Sequence, residues 1–249
     1  HLREIFIGNF RKEGNLSMAN EMLLGTQRVL DFCVQAKIEK MLLVSTGAVY
    51  GNTPSHFEKI PEDFCGSINS ANSEHAYNAV RRVMETLSVI CAEEGGFEVK
   101  IARCFSFIGP YLPLNGRFAV SDFISNSLSN KKIIVKGDGK AVRSFLYMAD
   151  LAIWLWTILF RGKSGRPYNV GSELPSTILE IAERIADESI SPLPVVILKK
   201  TIKGITPDHY VPDTSRAQSE LTLYQRIPFS IAIKKTLNWY RDVISRRGN

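Results

Sequence analysis

Nothing in this sequence is long and apolar enough to suggest a membrane span. A spanning helix needs roughly 18 to 20 consecutive apolar residues, and the richest run here, Leu151 to Phe160 (LAIWLWTILF), is far shorter. It reads as a buried helix. No basic-then-apolar leader opens the chain, so a cytoplasmic location and no membrane partner are expected. Cysteine is scarce, with four in 249 residues. Cys33, Cys65, Cys91 and Cys104 fall at no metal-ligand spacing and three of them lie in apolar segments, which predicts reduced thiols and no metal site. Repeats, low-complexity tracts and linkers are absent, and so are long blocks of one charge. The net charge of +6 is scattered, with Lys199-Lys200 and Arg246-Arg247 the densest pairs. That tells against a nucleic-acid groove, the reading the charge alone would favour. An anionic small molecule needs only one or two placed arginines.

What remains is an ordinary globular composition, 45% hydrophobic and 22% charged, enough to bury one large domain or a domain with a small lobe. Met41 to Val44 is an apolar run rich in β-formers that ends on two hydroxyls. It predicts a buried parallel strand delivering Ser45 and Thr46 to its carboxyl end. Downstream, Tyr77 and Arg81 stand four residues apart in a predicted helix, on one face and one turn apart. A hydroxyl, a phenol and a permanent cation can together hold a carbinol oxygen and move its proton, because a nearby positive charge favours the phenolate.

At these residues the chain resembles the extended short-chain dehydrogenases, the NAD-dependent nucleotide-sugar epimerases and dehydratases. Val44 to Gly51 (VSTGAVYG) is similar to their Ser-Ser/Thr-x-x-Val-Tyr-Gly segment, and Tyr77 to Arg81 to their Tyr-x-x-x-Lys pair. The resemblance implies an α/β fold: an incomplete Rossmann-like doubly wound parallel sheet over residues 1–110, then mainly a smaller α/β nucleotide-sugar lobe over 111–249. Some segments of the lobe return to the sheet. Thr46 and Tyr77 are implied as catalytic, with Arg81 in place of the lysine. Ser45, Tyr77, Arg81 and Cys104 would face NAD or NADP. Phe118, Val135, Arg143 and Arg216 would face a nucleotide-diphosphate sugar, with Val135 near the base and Arg143 on the diphosphate. A homodimer through the helix of Tyr77 is implied as well.

The departures from the family pattern are as specific as the matches. No Gly-x-x-Gly-x-x-Gly turn is present: Gly8 and Gly14 are isolated, and Gly95-Gly96 follows a helix. His1-Leu2 falls near the family's fourth strand, so the chain reads as starting beyond the first four strands, with NAD binding impaired. Met22 and Ser106 stand where the family has asparagines. Gly47 and Ala48 stand where the dehydratases carry an acid pair, which argues against 4,6-dehydration and for epimerisation or simple oxidoreduction. The implied activity is transient oxidation of a sugar hydroxyl in surface-polysaccharide precursor synthesis. The alternative is a truncated or inactive relative that binds a nucleotide-sugar without turnover.

Further along, Gly51 to Asn72 reads as a surface loop in which Glu58, Glu62 and Asp63 are solvated. Gly137-Asp138-Gly139 reads as a hairpin turn and Trp154 and Trp156 as core. Ser176 or Thr177 caps the helix that follows, and Asp213 either caps a short helix at Ser215 or belongs to a family segment ending in Arg216.

Overall fold

A computed structural model describes residues 14–54, 57–114, 116, 118–202, 204 and 206–247. His1-Leu2 and Gly8 lie outside the described residues.

The first helix among the described residues, α1 (Asn15–Gln35), follows Gly14 at φ 89° and buries Met18, Met22, Thr26, Leu30 and Cys33, a stripe spaced three to four residues apart. It leads into β1 (Lys40–Thr46). A single-turn 3-10 helix, Gly47–Tyr50, then carries the chain into the loop before a second one at Ser73–His75 and α2 (Ala76–Gly95). Gly96 closes α2 in the left-handed conformation, φ 71°, where a side chain would be strained. Next comes β2 (Glu98–Cys104), parallel to β1 from Lys40↔Glu98 to Thr46↔Cys104.

The chain leaves this sheet through β3 (Phe107–Ile108), α3 (Ala119–Leu128), β4 (Ile133–Val135), β5 (Val142–Arg143) and β6 (Leu146–Tyr147). Helix α4 (Met148–Arg161) brings it back to β7 (Pro167–Val170), which adds to the other edge of β2 in parallel. Thr46, Cys104 and Val170 therefore end three parallel strands side by side. The carboxyl edge of such a sheet is where open α/β folds place ligands. The rest of the chain is β8 (Ser176–Thr177), α5 (Ile178–Asp187), β9 (Val195–Ile197), β10 (His209–Tyr210), α6 (Ser215–Leu221) and α7 (Phe229–Arg247). Thr177 caps α5 in a full capping box with Glu180, as its position before the apolar run predicts.

Two layers of core follow. Leu30, Leu43, Val99 and Ile101 pack between α1, α2 and the sheet. Phe123, Ile124, Ile133, Val135, Ile181, Ile185, Ile233 and Leu237 fill a second centre made by α3, α5, α7 and β4.

Several local expectations are corrected. Gly137-Asp138-Gly139 is not a hairpin turn. β4 pairs with β9, and β5 with β10 and β8, so the glycines bend the chain between strands that find other partners. In α4, Trp154 is buried but Trp156 is 62% exposed, stacked on Phe160. The helix has one buried face, lined by Asp150, Trp154 and Ile158, where its continuous hydrophobicity suggested full burial. Glu62 is not a solvated loop residue either. It is buried, with its Oε1 accepting from the Asn169 backbone N–H at 2.8 Å, and burial pushes its carboxyl above the usual range. The loop is pinned here by Ile60, whose backbone pairs with Pro212, an anchor that a Gly- and Pro-rich composition hides.

Candidate active site

The end of β1 and the first turns of α2 face one another across a short gap. Thr46 turns out of the strand and its Oγ1 accepts from the Ala48 N–H at 3.2 Å, capping the 3-10 turn. On α2 the Tyr77 hydroxyl accepts from Arg81 Nε at 3.2 Å, and the guanidinium carbon lies 5.3 Å from the Tyr77 ring centroid. Arg81 also reaches back to the Val44 carbonyl at 3.4 Å, tying the helix to the strand. Met18, Met22, Val80 and Met84 form an apolar wall beside Tyr77. Met22 fills the family's asparagine position with packing rather than a hydrogen bond.

Ser45 is turned the other way. Strand alternation sends its side chain inward, where Oγ donates to Glu85 Oε1 at 2.5 Å. Glu85 is held from the far side by Arg103, whose Nη2 meets Oε2 at 2.8 Å. Arg103 Nη1 continues to the Tyr50 hydroxyl at 3.0 Å, and that hydroxyl donates to Asn169 Oδ1 at 2.8 Å. Burial pushes the Tyr50 phenol up to about 12 against the pull of Arg103, so it stays a neutral donor. This chain of buried polar groups lies behind the site and fixes β1 against α2. Its sequence signal, Glu85 eight residues after Tyr77 on the same helical face, went unread.

In front lies a cleft of about 1980 Å³. Ser45, Thr46, Tyr77, Arg81, Cys104, Phe118 and Arg143 all line it. Its volume is about twice that of a site for one drug-sized ligand, which suits two ligands lying end to end. Two expected residues stand elsewhere. Val135 is fully buried in the second core, because alternation along β4 turns it inward and leaves Ile134 and Lys136 facing the cleft. Arg216 donates to the Pro167 carbonyl and to Asp63, with Glu62 at 3.9 Å, in a separate shallow depression. Two carboxylates already occupy that guanidinium.

Arg143 meets the carboxylate of Asp208, which is 70% exposed. A pair so open to solvent is weak and can be exchanged for another anion. Tyr210 is a cleft residue that the sequence did not flag. It sits beside Arg143 through the pairing of β10 with β5, and its ring lies tilted against Phe105 at 4.5 Å between centroids. Burial pushes its phenol upward.

The model for the NAD dependent epimerase/dehydratase family matches residues 9–171, nearly two thirds of the sequence. The chain belongs to that family. Its relatives include a UDP-glucuronic acid decarboxylase of Arabidopsis thaliana, 31% identical over 82% of this chain and 46% of that protein. A UDP-glucuronic acid decarboxylase of Xenopus tropicalis is 28% identical over 84% of this chain and 49% of that one. The chain thus spans about half the length of these curated relatives. Among solved structures, a UDP-glucose 4-epimerase from Thermotoga maritima with UDP-glucose superposes with TM-score 0.82 at 20% identity, covering 93% of this chain and 73% of that one. A dTDP-glucose 4,6-dehydratase from Streptomyces venezuelae with NAD bound gives 0.76 at 24% identity, over 94% and 70%. At such identities these two likenesses establish the Rossmann-like α/β fold.

The residues present fit one end of NAD. Tyr77, Arg81 and Cys104 bring a phenol, a cation and a strand end to one cleft, a polar set that suits the hydroxyls of a dinucleotide ribose. Among the described residues, no helix opening on a glycine-rich turn cradles a pyrophosphate.

Proposed function

We propose that the chain carries the catalytic and sugar-binding parts of an NAD(P)-dependent nucleotide-sugar oxidoreductase that works by transient oxidation of a sugar hydroxyl. The observation that carries this reading is the Arg81 Nε to Tyr77 hydroxyl bond of 3.2 Å at the carboxyl edge of the parallel sheet, beside Thr46. Tyr77, held by Arg81, takes the proton of a sugar hydroxyl while Thr46 holds the same oxygen. The dinucleotide, when bound, supplies the acceptor for the hydride that leaves the adjoining carbon and returns it to the resulting ketone. Tyr77 then gives the proton back. No carboxyl stands at Gly47 or Ala48 to expel water or a neighbouring group, so the reading favours epimerisation or simple redox exchange over dehydration.

Arg143, held by the exposed Asp208 carboxylate and by the Val142 and Asp208 carbonyls, is suited to the diphosphate, and Phe118 and Lys136 line the same cleft. Exposed Leu16, Leu24, Phe32, Val83 and Ile90 on α1 and α2 support a homodimer through these helices. Work on precursors of surface polysaccharide, in the cytoplasm, completes the proposal.

The test is calorimetric titration of the chain with NAD and with UDP-, dTDP- and GDP-sugars, followed by turnover assays of the wild type and of Tyr77→Phe. Binding of both ligands with product formation that Tyr77→Phe abolishes is the expected result. Turnover that survives in Tyr77→Phe would remove the acid/base assignment. Sugar-nucleotide binding with no turnover would reduce the function to recognition.

A further inference from the structure

Outside the cleft, one strand leaves a side of its backbone unused. β9 pairs in parallel with β4, from Ile133↔Val195 to Val135↔Ile197, and among the described residues nothing pairs with its other side. The ladder shows which groups are left over. The Pro194 carbonyl accepts from the Ile133 N–H at 2.9 Å, and the Leu198 N–H donates to the Val135 carbonyl at 2.9 Å. Successive residues of a strand turn their backbone groups to opposite sides, so those of Pro194, Val196 and Leu198 meet β4. The N–H and C=O of Val195 and Ile197 then point outward, an edge to which another strand can add.

The side chains around this edge select its partner. Ile197 is 43% and Leu198 61% exposed, and alternation puts them on opposite faces of the ribbon, so both faces are apolar at the edge. Charge stands at both ends. Lys131 and Lys132 lie beside the start of β9, because Ile133 pairs with Val195, and Lys199 and Lys200 follow its end, where the Lys199 N–H still reaches the Gly137 carbonyl at 3.3 Å. All four lysines are exposed, and none has an ion-pair partner among the described residues. At the rise of an extended chain the two pairs are roughly 16 Å apart. A second copy pairing through the same edge would set lysines against lysines, which disfavours it. An acidic strand meets opposite charge at each end.

We propose that the free edge of β9 is a docking site for an extended segment of a partner protein, apolar in its middle and acidic at both ends, which adds to β4 and β9 as a third strand. The outward groups of Val195 and Ile197 supply its main-chain bonds, Ile197 and Leu198 receive its apolar side chains, and the two lysine pairs hold its ends. β4 also carries Ile134 and Lys136 to the wall of the cleft, so the partner docks one strand away from the candidate site. The inference stands independently of the proposed function.

The experiment titrates the full chain into a labelled peptide, Glu-Asp-Val-Ile-Val-Glu-Asp, followed by fluorescence anisotropy, beside the charge-reversed Lys-Lys-Val-Ile-Val-Lys-Lys. Saturable binding of the acidic peptide alone is expected, weakened about threefold or more between roughly 0.05 and 0.3 M salt. Ile197→Pro removes an outward N–H without touching a bond to β4, a place where an edge strand tolerates proline. It should weaken the acidic peptide by about three- to tenfold, the worth of one hydrogen bond. Lys199→Glu combined with Lys200→Glu should weaken it by about tenfold or more. Thermal unfolding checks both proteins, and should Ile197→Pro fail to fold, the lysine variant decides alone. No binding of the acidic peptide would mean that the lysines only keep other strands off the edge. Equal binding of the two peptides, or an affinity unchanged in the folded variants, would place the contact elsewhere. Self-association of the chain that Ile197→Pro abolishes would give the edge to a second copy. Each of these results overturns the inference.

Discussion

Replacing Glu85 should loosen the whole site from behind. The carboxylate takes the Ser45 hydroxyl at 2.5 Å and the Arg103 guanidinium at 2.8 Å, and the two charged side chains are only 10% and 15% exposed. Removing one member of so enclosed a pair leaves an uncompensated charge, at a cost of about 3–5 kcal/mol. Glu85→Ala should therefore lower the midpoint of thermal unfolding by roughly 6–20 °C, at about 2–4 °C per kcal/mol for a chain of this size. Urea denaturation followed by circular dichroism should give the same loss as a shift of midpoint at constant slope.

The double replacement Glu85→Leu with Arg103→Met makes the reasoning refutable. With both charges gone the penalty for burying either disappears, and apolar pairs of similar volume commonly replace buried ion pairs at little cost. The Tyr50 hydroxyl loses the Arg103 donor but still donates to Asn169. Stability should return to within about 2 kcal/mol of the wild type. A Glu85→Ala loss below about 1 kcal/mol, or a double variant as unstable as the two single losses summed, would show that solvent screens the pair and that it does not lock β1 against α2.

Three further outcomes are expected. Arg81→Met should lower turnover by about tenfold or more, because the side chain that holds the Tyr77 hydroxyl at 3.2 Å is gone. Arg81→Lys should recover part of the loss, and steady-state turnover of the three proteins checks both. Gly47→Ala should destabilise by about 1–3 kcal/mol in urea titrations, since its Cβ would meet Tyr210 and Phe105 at 2.6 and 2.7 Å. Burial alone would raise the Glu173 carboxyl, but Lys59 and the N–H and hydroxyl of Thr214 together hold it below its ordinary value. A depressed carboxyl contributes stability that is fully present above its unfolded value, about 4.3, and is lost as pH falls through the lower folded value. Glu173→Gln should accordingly flatten the acid limb of the stability curve, measured as unfolding midpoint between pH 6 and pH 3 (roughly the window set by carboxylates).

How much of this could be read in advance depended on the range of the interaction. β1 was legible because a buried parallel strand announces itself as an unbroken apolar run. The Tyr77–Arg81 pair was legible because helical spacing alone puts residues four apart on one face. Val135 was misplaced because a run of three β-formers does not say which of two faces is inward; only the packing of β4 on α3 and α5 decides that. Glu62 was misjudged because its partner, the Asn169 backbone, comes from a strand more than a hundred residues on. Trp156 was placed inside because a helix apolar on every side gives no hint of which face finds a neighbour.

Tyr210 marks the far limit of the same argument. Nothing local distinguishes it: it precedes Val211-Pro212, lies in a strand of two residues, and follows a loop without periodicity. Its place is set by two approaches that no short window contains, the pairing of β10 with β5 and the phenol against Gly47. The sequence did carry half of the signal. Gly47 was noticed as the loss of an acid, but a glycine beside a catalytic hydroxyl is also a vacancy in a packed wall. Close packing leaves few such voids unfilled. Tyr210 and Phe105 fill the space that a side chain at Gly47 would need. A swap tests this directly. Gly47→Ala combined with Tyr210→Leu and Phe105→Leu should lose less stability in urea titrations than Gly47→Ala and the two ring replacements summed, because the added methyl then enters space the rings have left. Losses that simply add would mean that Gly47 and the two rings do not share one space.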